Sequence, residues 1–242
     1  MPAVKQGLEA MSACPAEGLS INVTLPFSLD RYDAAAEAFL TGMERAQDTG
    51  RDLSRIASAA SFFVSRVDTE TDRRPDRLGG GQPAALHGRE AVTNGRIAYE
   101  HYERMLATER WKLLERAGAR PQRLLRASTG VKAPAYDATR YVVDLLAPGV
   151  VSTMPEATLN AVAEHGAVPV GSIRDTCGEA HQVLEELAAL GVEYADVAQV
   201  LEDEGVEKPG ASWNELVEKL AVSPHESDSG QSHRTDRGKE KV

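Results

Sequence analysis

Two short stretches hold polar side chains whose types and spacing could line a site, one of them with an arginine suited to an anionic group. In "SINVTLPFSLDRY", residues 20 to 32, Ile21, Val23 and Leu25 alternate with Asn22 and Thr24 before the run breaks at Pro26. A strand buried on both faces reads as nearly continuous Val, Ile and Leu, so an amide and a hydroxyl on one face need an explanation. Either they form an ordinary solvated or hydrogen-bonded face, or they point into a site at the carboxyl ends of the strands. In "SFFVSR", residues 61 to 66, Ser61 and Arg66 flank an aromatic pair at the end of a second strand. Arginine offers a rigid fork suited to phosphate, and a hydroxyl adds a short donor, although most arginines are simply solvated.

A third stretch, "ASTGVKAPAY" (127–136), places Ser128, Thr129, Gly130 and Lys132 in a strand-to-helix turn. A lysine there suits imine formation, but its spacing equally describes a surface loop. "GGGQ" (79–82) lacks the flanking residues of a phosphate loop and reads as a connector. The six histidines form no HxH or HxxxH pair, and Cys14 and Cys177 belong to no CxxC. Neither a metal site nor a disulfide framework is expected, and a reducing cytoplasm is the default location.

These residues are carried by a regular alternation. "LSINVTLPF" (19–27), "IASAASFFVSR" (56–66), "RLLRAST" (123–129) and "GVVSTM" (149–154) read as strands. Helical patterns follow them over 28–47, 84–117, 136–146 and from Pro155 to Gly166, with a polar connection at 68–82. Ser28 is the expected N-cap of the first helix, and Pro155 is pre-set for the first turn of the last. Four strand–helix units in succession predict parallel α/β structure. After Gly171 the pattern is all helix, with a separate final helix opening at a capping box of Ser212 and Glu215. The stretch 223–242 has one apolar side chain and reads as a disordered polar tail.

Across 242 residues the net charge is −10, with 42% hydrophobic and 26% charged residues. That balance argues against a nucleic-acid partner, which needs a basic face. No apolar run is long enough to span a membrane, and "MPAVKQGLEA" lacks the pattern of a signal peptide.

Taken together, "INVTLPFSLDRY", "ASFFVSRVDTETDRR", "ASTGVKAPAYDATRYVVDLLAPGVVSTMPEATLNAVAEHG" and "EGVEKPGASWNELVEKL" resemble transaldolases of the longer actinobacterial type, over about residues 1–222. The resemblance implies a (β/α)8 barrel, present here as roughly its C-terminal four βα units plus extra helices. It implies transfer of a dihydroxyacetone unit between sugar phosphates in the pentose phosphate pathway or an adapted one, through a lysine Schiff base and with no metal or organic cofactor. Asn22 would hold substrate hydroxyls, Thr24 would help position a proton-relaying water, and Ser61 and Arg66 would bind phosphate. The family's lysine stands in K-[IL]-P-A-T; with "MPAVKQGL" in that register it falls one position before Met1, and neither Lys5 nor Lys132 matches it. Arg126 stands where an aromatic often precedes "ASTG". Three readings stay open: a longer enzyme, a short chain completed by a second copy or a complementing N-terminal half, and a catalytically silent sugar-phosphate-binding or assembly protein. An incomplete barrel is expected to expose the outer edges of its first and last strands.

Overall fold

Residues 1–74, 86–167 and 173–222 are described by the computed structural model. Among them, β1 (Ile21–Thr24), β2 (Ser58–Phe63), β3 (Arg123–Ala127) and β4 (Val151–Ser152) form one sheet in the order β1-β2-β3-β4, every pair parallel. Each neighbour in the sheet is also the next strand in sequence, which requires a crossover after every strand. Those crossovers are helical: α2 (Leu29–Asp48) after β1, α3 (Ser65–Thr71), α4 (Glu90–Ala107) and α5 (Glu109–Arg116) after β2, α6 (Arg140–Val143) after β3, and α7 (Glu156–His165) after β4. α1 (Leu8–Ala16) precedes β1; α8 (Cys177–Ala189) and α9 (Tyr194–Val222) follow the sheet. The succession of βα units is that of part of a (β/α)8 barrel.

The chain divides into two units, Met1–Glu204 and Gly205–Val242. The first holds the sheet and both apolar cores. The described part of the second is the end of α9, with Trp213, Leu216, Val217 and Leu220 at helical spacing. The tail 223–242, the connector "GGGQ" and the start of the helix expected from Ala84 lie outside the described residues.

Local chemistry explains where the elements start and where they depart from the periodicity. Ser28 caps α2 as expected, its hydroxyl accepting from the Arg31 N–H at 3.0 Å. The helix predicted over 84–117 is split at Thr108, which adopts an extended conformation and caps α5 by accepting from the Trp111 N–H at 3.2 Å. The change of direction delivers Trp111 and Leu114, each 1% exposed, into a cluster with Phe39, Leu40, Met43, Leu53 and Ile56. The helix predicted over 136–146 contracts to α6, because the Asp137 carboxylate accepts from both the N–H and the hydroxyl of Thr139 (2.7 and 2.6 Å) and holds a turn instead. Ser65–Thr71, at the edge of the predicted polar connection, is helical. Ser212 starts no helix; it lies inside α9, and Glu215 accepts from Lys219 one turn on, at 2.7 Å, rather than closing a capping box.

Two further features settle what surrounds the sheet. The expected free edge of β1 is partly paired by the chain's own first residues: the Thr24 N–H donates to the Met1 carbonyl, and Ala3 N–H to the Thr24 carbonyl, both at 2.7 Å. On the helix side, Val183 and Leu187 of α8 join the main core. The start of α9 is pinned by Tyr194, whose hydroxyl accepts from the Leu29 N–H at the first turn of α2 (3.1 Å) and lies 2.6 Å from Asn94 Oδ1.

Acids are buried between α3 and α4. Asp68, 2% exposed, accepts from the Ala91 N–H and the Tyr141 hydroxyl, both at 2.7 Å. Glu90, 1% exposed, accepts from the Thr71 hydroxyl. Burial raises the Asp68 carboxyl to about 6 and the Glu90 carboxyl to about 7. Both therefore hold a proton more tightly folded than unfolded, so their contribution is complete below the ordinary carboxylate range near pH 4 and is lost as pH rises through 6 to 7. The melting temperature is expected to fall between pH 5 and 8. Glu90→Gln should remove part of that slope, on the order of 2 kcal/mol; an unchanged slope in the variant would contradict the assignment.

Candidate active site

The parallel register sorts the strand side chains onto two faces. Thr24 pairs with Ser61 and Asn22 with Ala59; Ser61 pairs with Leu125, and Phe63 with Ala127. Residues at paired positions share a face, and successive residues alternate. Val23, Ala60, Phe62, Leu124 and Arg126 make up the face against the helices, and all are fully buried. Asn22, Thr24, Ser61 and Phe63 lie on the opposite face, where Asn22 is exposed and Thr24 and Phe63 are half-buried.

On that face the Ser61 hydroxyl, itself 4% exposed, donates to Asn22 Oδ1 at 2.8 Å. One strand further the ladder continues past β2: the Val64 N–H donates to the Ala127 carbonyl at 3.0 Å, and the Ser65 N–H to the Ser128 carbonyl at 2.9 Å. Arg66 thus sits in the first turn of α3 rather than on the strand. Its guanidinium lies 5.3 Å from the centre of the Phe63 ring, tying it to the face that carries Ser61. The structure brings Asn22, Thr24 and Ser61 together directly, and Arg66 through Phe63.

Strain marks the same ends of the strands. Leu25, directly after β1, has φ 65°, and Ser128, directly after β3, has φ 55°. Non-glycine residues in the left-handed region cost about 1–3 kcal/mol and persist only where the surroundings enforce them. Ser128 is held by the Ser65 N–H and by a 3.0 Å contact between the two hydroxyls. Beside it, the Thr129 hydroxyl donates to the Thr153 carbonyl at 2.5 Å, joining the ends of β3 and β4. Ser65 and Phe63 were not singled out from sequence; a serine and a phenylalanine in "SFFVSR" carry no signal of their own.

The two lysines occupy other places. Lys5 is in the 3-10 turn Lys5–Gly7 and lines a cavity with Asp30, Arg31 and Tyr194. Lys132 follows the Ser128 turn and lines a cavity of about 300 Å3 with Asp68, Asp72, Tyr136 and Tyr141. On the helix side, Arg126 is a buried cation: its Nη2 donates to the Gly95 carbonyl at 2.6 Å, the guanidinium lies 5.9 Å from the Phe62 ring centre, and Nε and Nη1 have no partner among the described residues. Burial lowers its pKa to about 10, so it stays charged at neutral pH. Among the described residues no group of three or more His, Cys, Asp and Glu could hold a metal ion, and no helix is long and apolar enough to cross a membrane.

An amide oxygen, two hydroxyls and a guanidinium on one accessible face can hold a hydroxylated ligand by hydrogen bonds and an anionic group by charge. The Asn22–Ser61 bond itself is testable. A double-mutant cycle of Asn22→Ala and Ser61→Ala, read by denaturant unfolding, should give a coupling of about 0.5–1 kcal/mol, near the low end for a hydrogen bond because Asn22 is exposed. Additive effects would place the two side chains apart.

Known proteins match the sequence over almost the whole chain. The family model described as Transaldolase/Fructose-6-phosphate aldolase matches residues 1–220. The chain is 52% identical over 220 residues to a transaldolase of Parafrankia sp. (strain EAN1pec) and 51% identical over 221 residues to one of Thermobifida fusca (strain YX). Each match covers 91% of this chain and 60% of the relative, so the chain spans about three fifths of the length of the curated relatives it matches. With a family model fitting nearly every described residue and half of the aligned positions identical, the chain belongs to the transaldolase/fructose-6-phosphate aldolase family.

Proposed function

We propose that this chain carries the phosphate- and hydroxyl-binding part of a transaldolase that moves a dihydroxyacetone unit between sugar phosphates in the cytoplasm. The observation that supports it best is the Asn22–Ser61 pair at 2.8 Å, on the same sheet face as Phe63 and the Arg66 stacked on it, in a chain of this family. Asn22 then accepts and donates to the hydroxyls of the ketose, and Ser61 and Arg66 take its phosphate, Arg66 by charge-assisted hydrogen bonds. Thr24, at the last position of β1, helps hold the water that relays protons.

In this reading carbon–carbon cleavage needs an imine as electron sink, and the amine that forms it is absent from residues 1–242. Lys5 and Lys132 line other cavities and do not replace it. The accessible face of the sheet is completed by further strands, supplied by more of the same polypeptide, a complementing half or a second copy.

Calorimetric titration of fructose 6-phosphate should show binding to the 242-residue chain, weakened roughly 10- to 100-fold in Arg66→Ala, the loss expected of a charge-assisted hydrogen-bond pair. An affinity unchanged by Arg66→Ala would remove the phosphate assignment. Borohydride added with the sugar should leave no adduct on residues 1–242, and should trap one when a lysine-bearing segment in the family's register is supplied ahead of Met1. An adduct on Lys132 would overturn the assignment of the amine.

A further inference from the structure

On the helix side of the sheet, away from Asn22 and Ser61, three arginines converge on a cavity of about 190 Å3 between α4, α6 and α8. Arg89 and Arg96 come from α4 and the residue before it, Arg140 from the start of α6, and Thr93 adds a buried hydroxyl. Two carboxylates share the lining, Asp144 and Glu179, so the walls carry one more positive than negative group. Glu179 is divided between two of the cations, 2.5 Å from Arg89 Nη2 and 3.9 Å from Arg96 Nη1. The Nε–H groups of Arg96 and Arg140 are buried with no hydrogen-bond partner among the described residues. Arg140 is also held rigidly, stacked 4.6 Å from the Tyr136 ring centre and 5.3 Å from that of Tyr141, with Nη2 bonded to the Gly88 carbonyl.

Buried polar groups in native structures nearly always find partners, and those without one need an explanation. Arg96 and Arg140 thus leave donor capacity unused beside the cavity their residues line. We infer that the Arg89–Arg96–Arg140 cavity is a binding site for a phosphate group. Guanidinium forks match tetrahedral oxyanions with paired N–H donors, and Arg140 is already held in place by its two ring contacts and its bond to the Gly88 carbonyl. The apolar part of the lining is limited to the short side chains Val92, Ala180 and Val183, which suits a compact anion rather than a long acyl chain. This site stands independently of the function proposed for the sheet face.

Equilibrium dialysis of the whole chain against labelled inorganic phosphate, in chloride buffer, tests it. In Arg66→Ala, which removes the other proposed anion contact, phosphate binding is expected to persist. Arg96→Gln and Arg89→Gln should each weaken it at least 10-fold. Glu179→Gln should tighten it several-fold by freeing two guanidinium groups, a gain that loss of folding cannot produce. Glycerol phosphate run as a competitor identifies the source: equal or tighter binding assigns the site to a phosphomonoester, and binding of inorganic phosphate alone assigns it to the free ion. No binding of either, loss of binding in Arg66→Ala alone, or indifference to Arg89→Gln, Arg96→Gln and Glu179→Gln would overturn the inference.

Discussion

The side-chain alternation along β1, locked by its parallel pairing with β2, is the constraint on which the rest depends. Val23 is fully buried against the helices while its neighbours Asn22 and Thr24 stand on the other face. A slip of one residue would exchange them, driving an amide and a hydroxyl into the apolar layer and exposing Val23. Three things prevent it. α1 and α2 need an apolar partner at Val23, Ser61 needs an acceptor in its nearly closed position, and Met1–Ala3 bond the outer edge of β1. The same pairing that satisfies the core therefore places Asn22 beside Ser61.

The helix side of the sheet is less uniform than its apolar neighbours suggest. Arg126 follows the alternation faithfully and, as a result, carries a charge into a layer otherwise made of Val23, Ala60, Phe62 and Leu124. One carbonyl and one aromatic face answer only part of its donor capacity. Between α3 and α4, Asp68 and Glu90 are buried with hydroxyl and backbone donors and, among the described residues, no cation in hydrogen-bond contact. A charge in a low-dielectric layer either finds an opposite charge or shifts its proton equilibrium, and these three groups take the second course. The packing of α3 and α4 is thus linked to pH through residues that are almost wholly buried.

Much of this was legible in the sequence, for reasons that differ by element. The strands are short and rich in β-branched or apolar residues, and Ser28 caps α2 through a contact three residues away; both are local signals. Asn22 and Thr24 announced themselves as polar interruptions of an apolar run, though nothing in their spacing distinguished a site from a solvated face. What escaped was set by tertiary contact. Thr108 reads as the interior of a continuous helical pattern, and only the demand of the Phe39–Met43 cluster for Trp111 shows why the chain turns there. Met1–Ala3 are too few residues to show any period. The convergence of Arg89, Arg96 and Arg140 joins residues up to 51 positions apart, which no linear pattern reports.

The five-residue spacing from Ser61 to Arg66 shows how the fold brings side chains of one short segment to the same side of the sheet. Had the strand continued, Arg66 would fall on the opposite face from Ser61, because odd separations alternate. The chain instead leaves the strand after Phe63, carries the ladder two residues further through Val64 and Ser65, and enters α3 at once. That bend returns the Arg66 guanidinium over the Phe63 ring, on the side of Ser61. The bend is fixed from the neighbouring strand, where Ser128 is held in a left-handed conformation and meets Ser65 through both backbone and hydroxyl. The strain at Ser128 and the position of Arg66 are in this way one structural fact: relaxing the first would release the turn that aims the second.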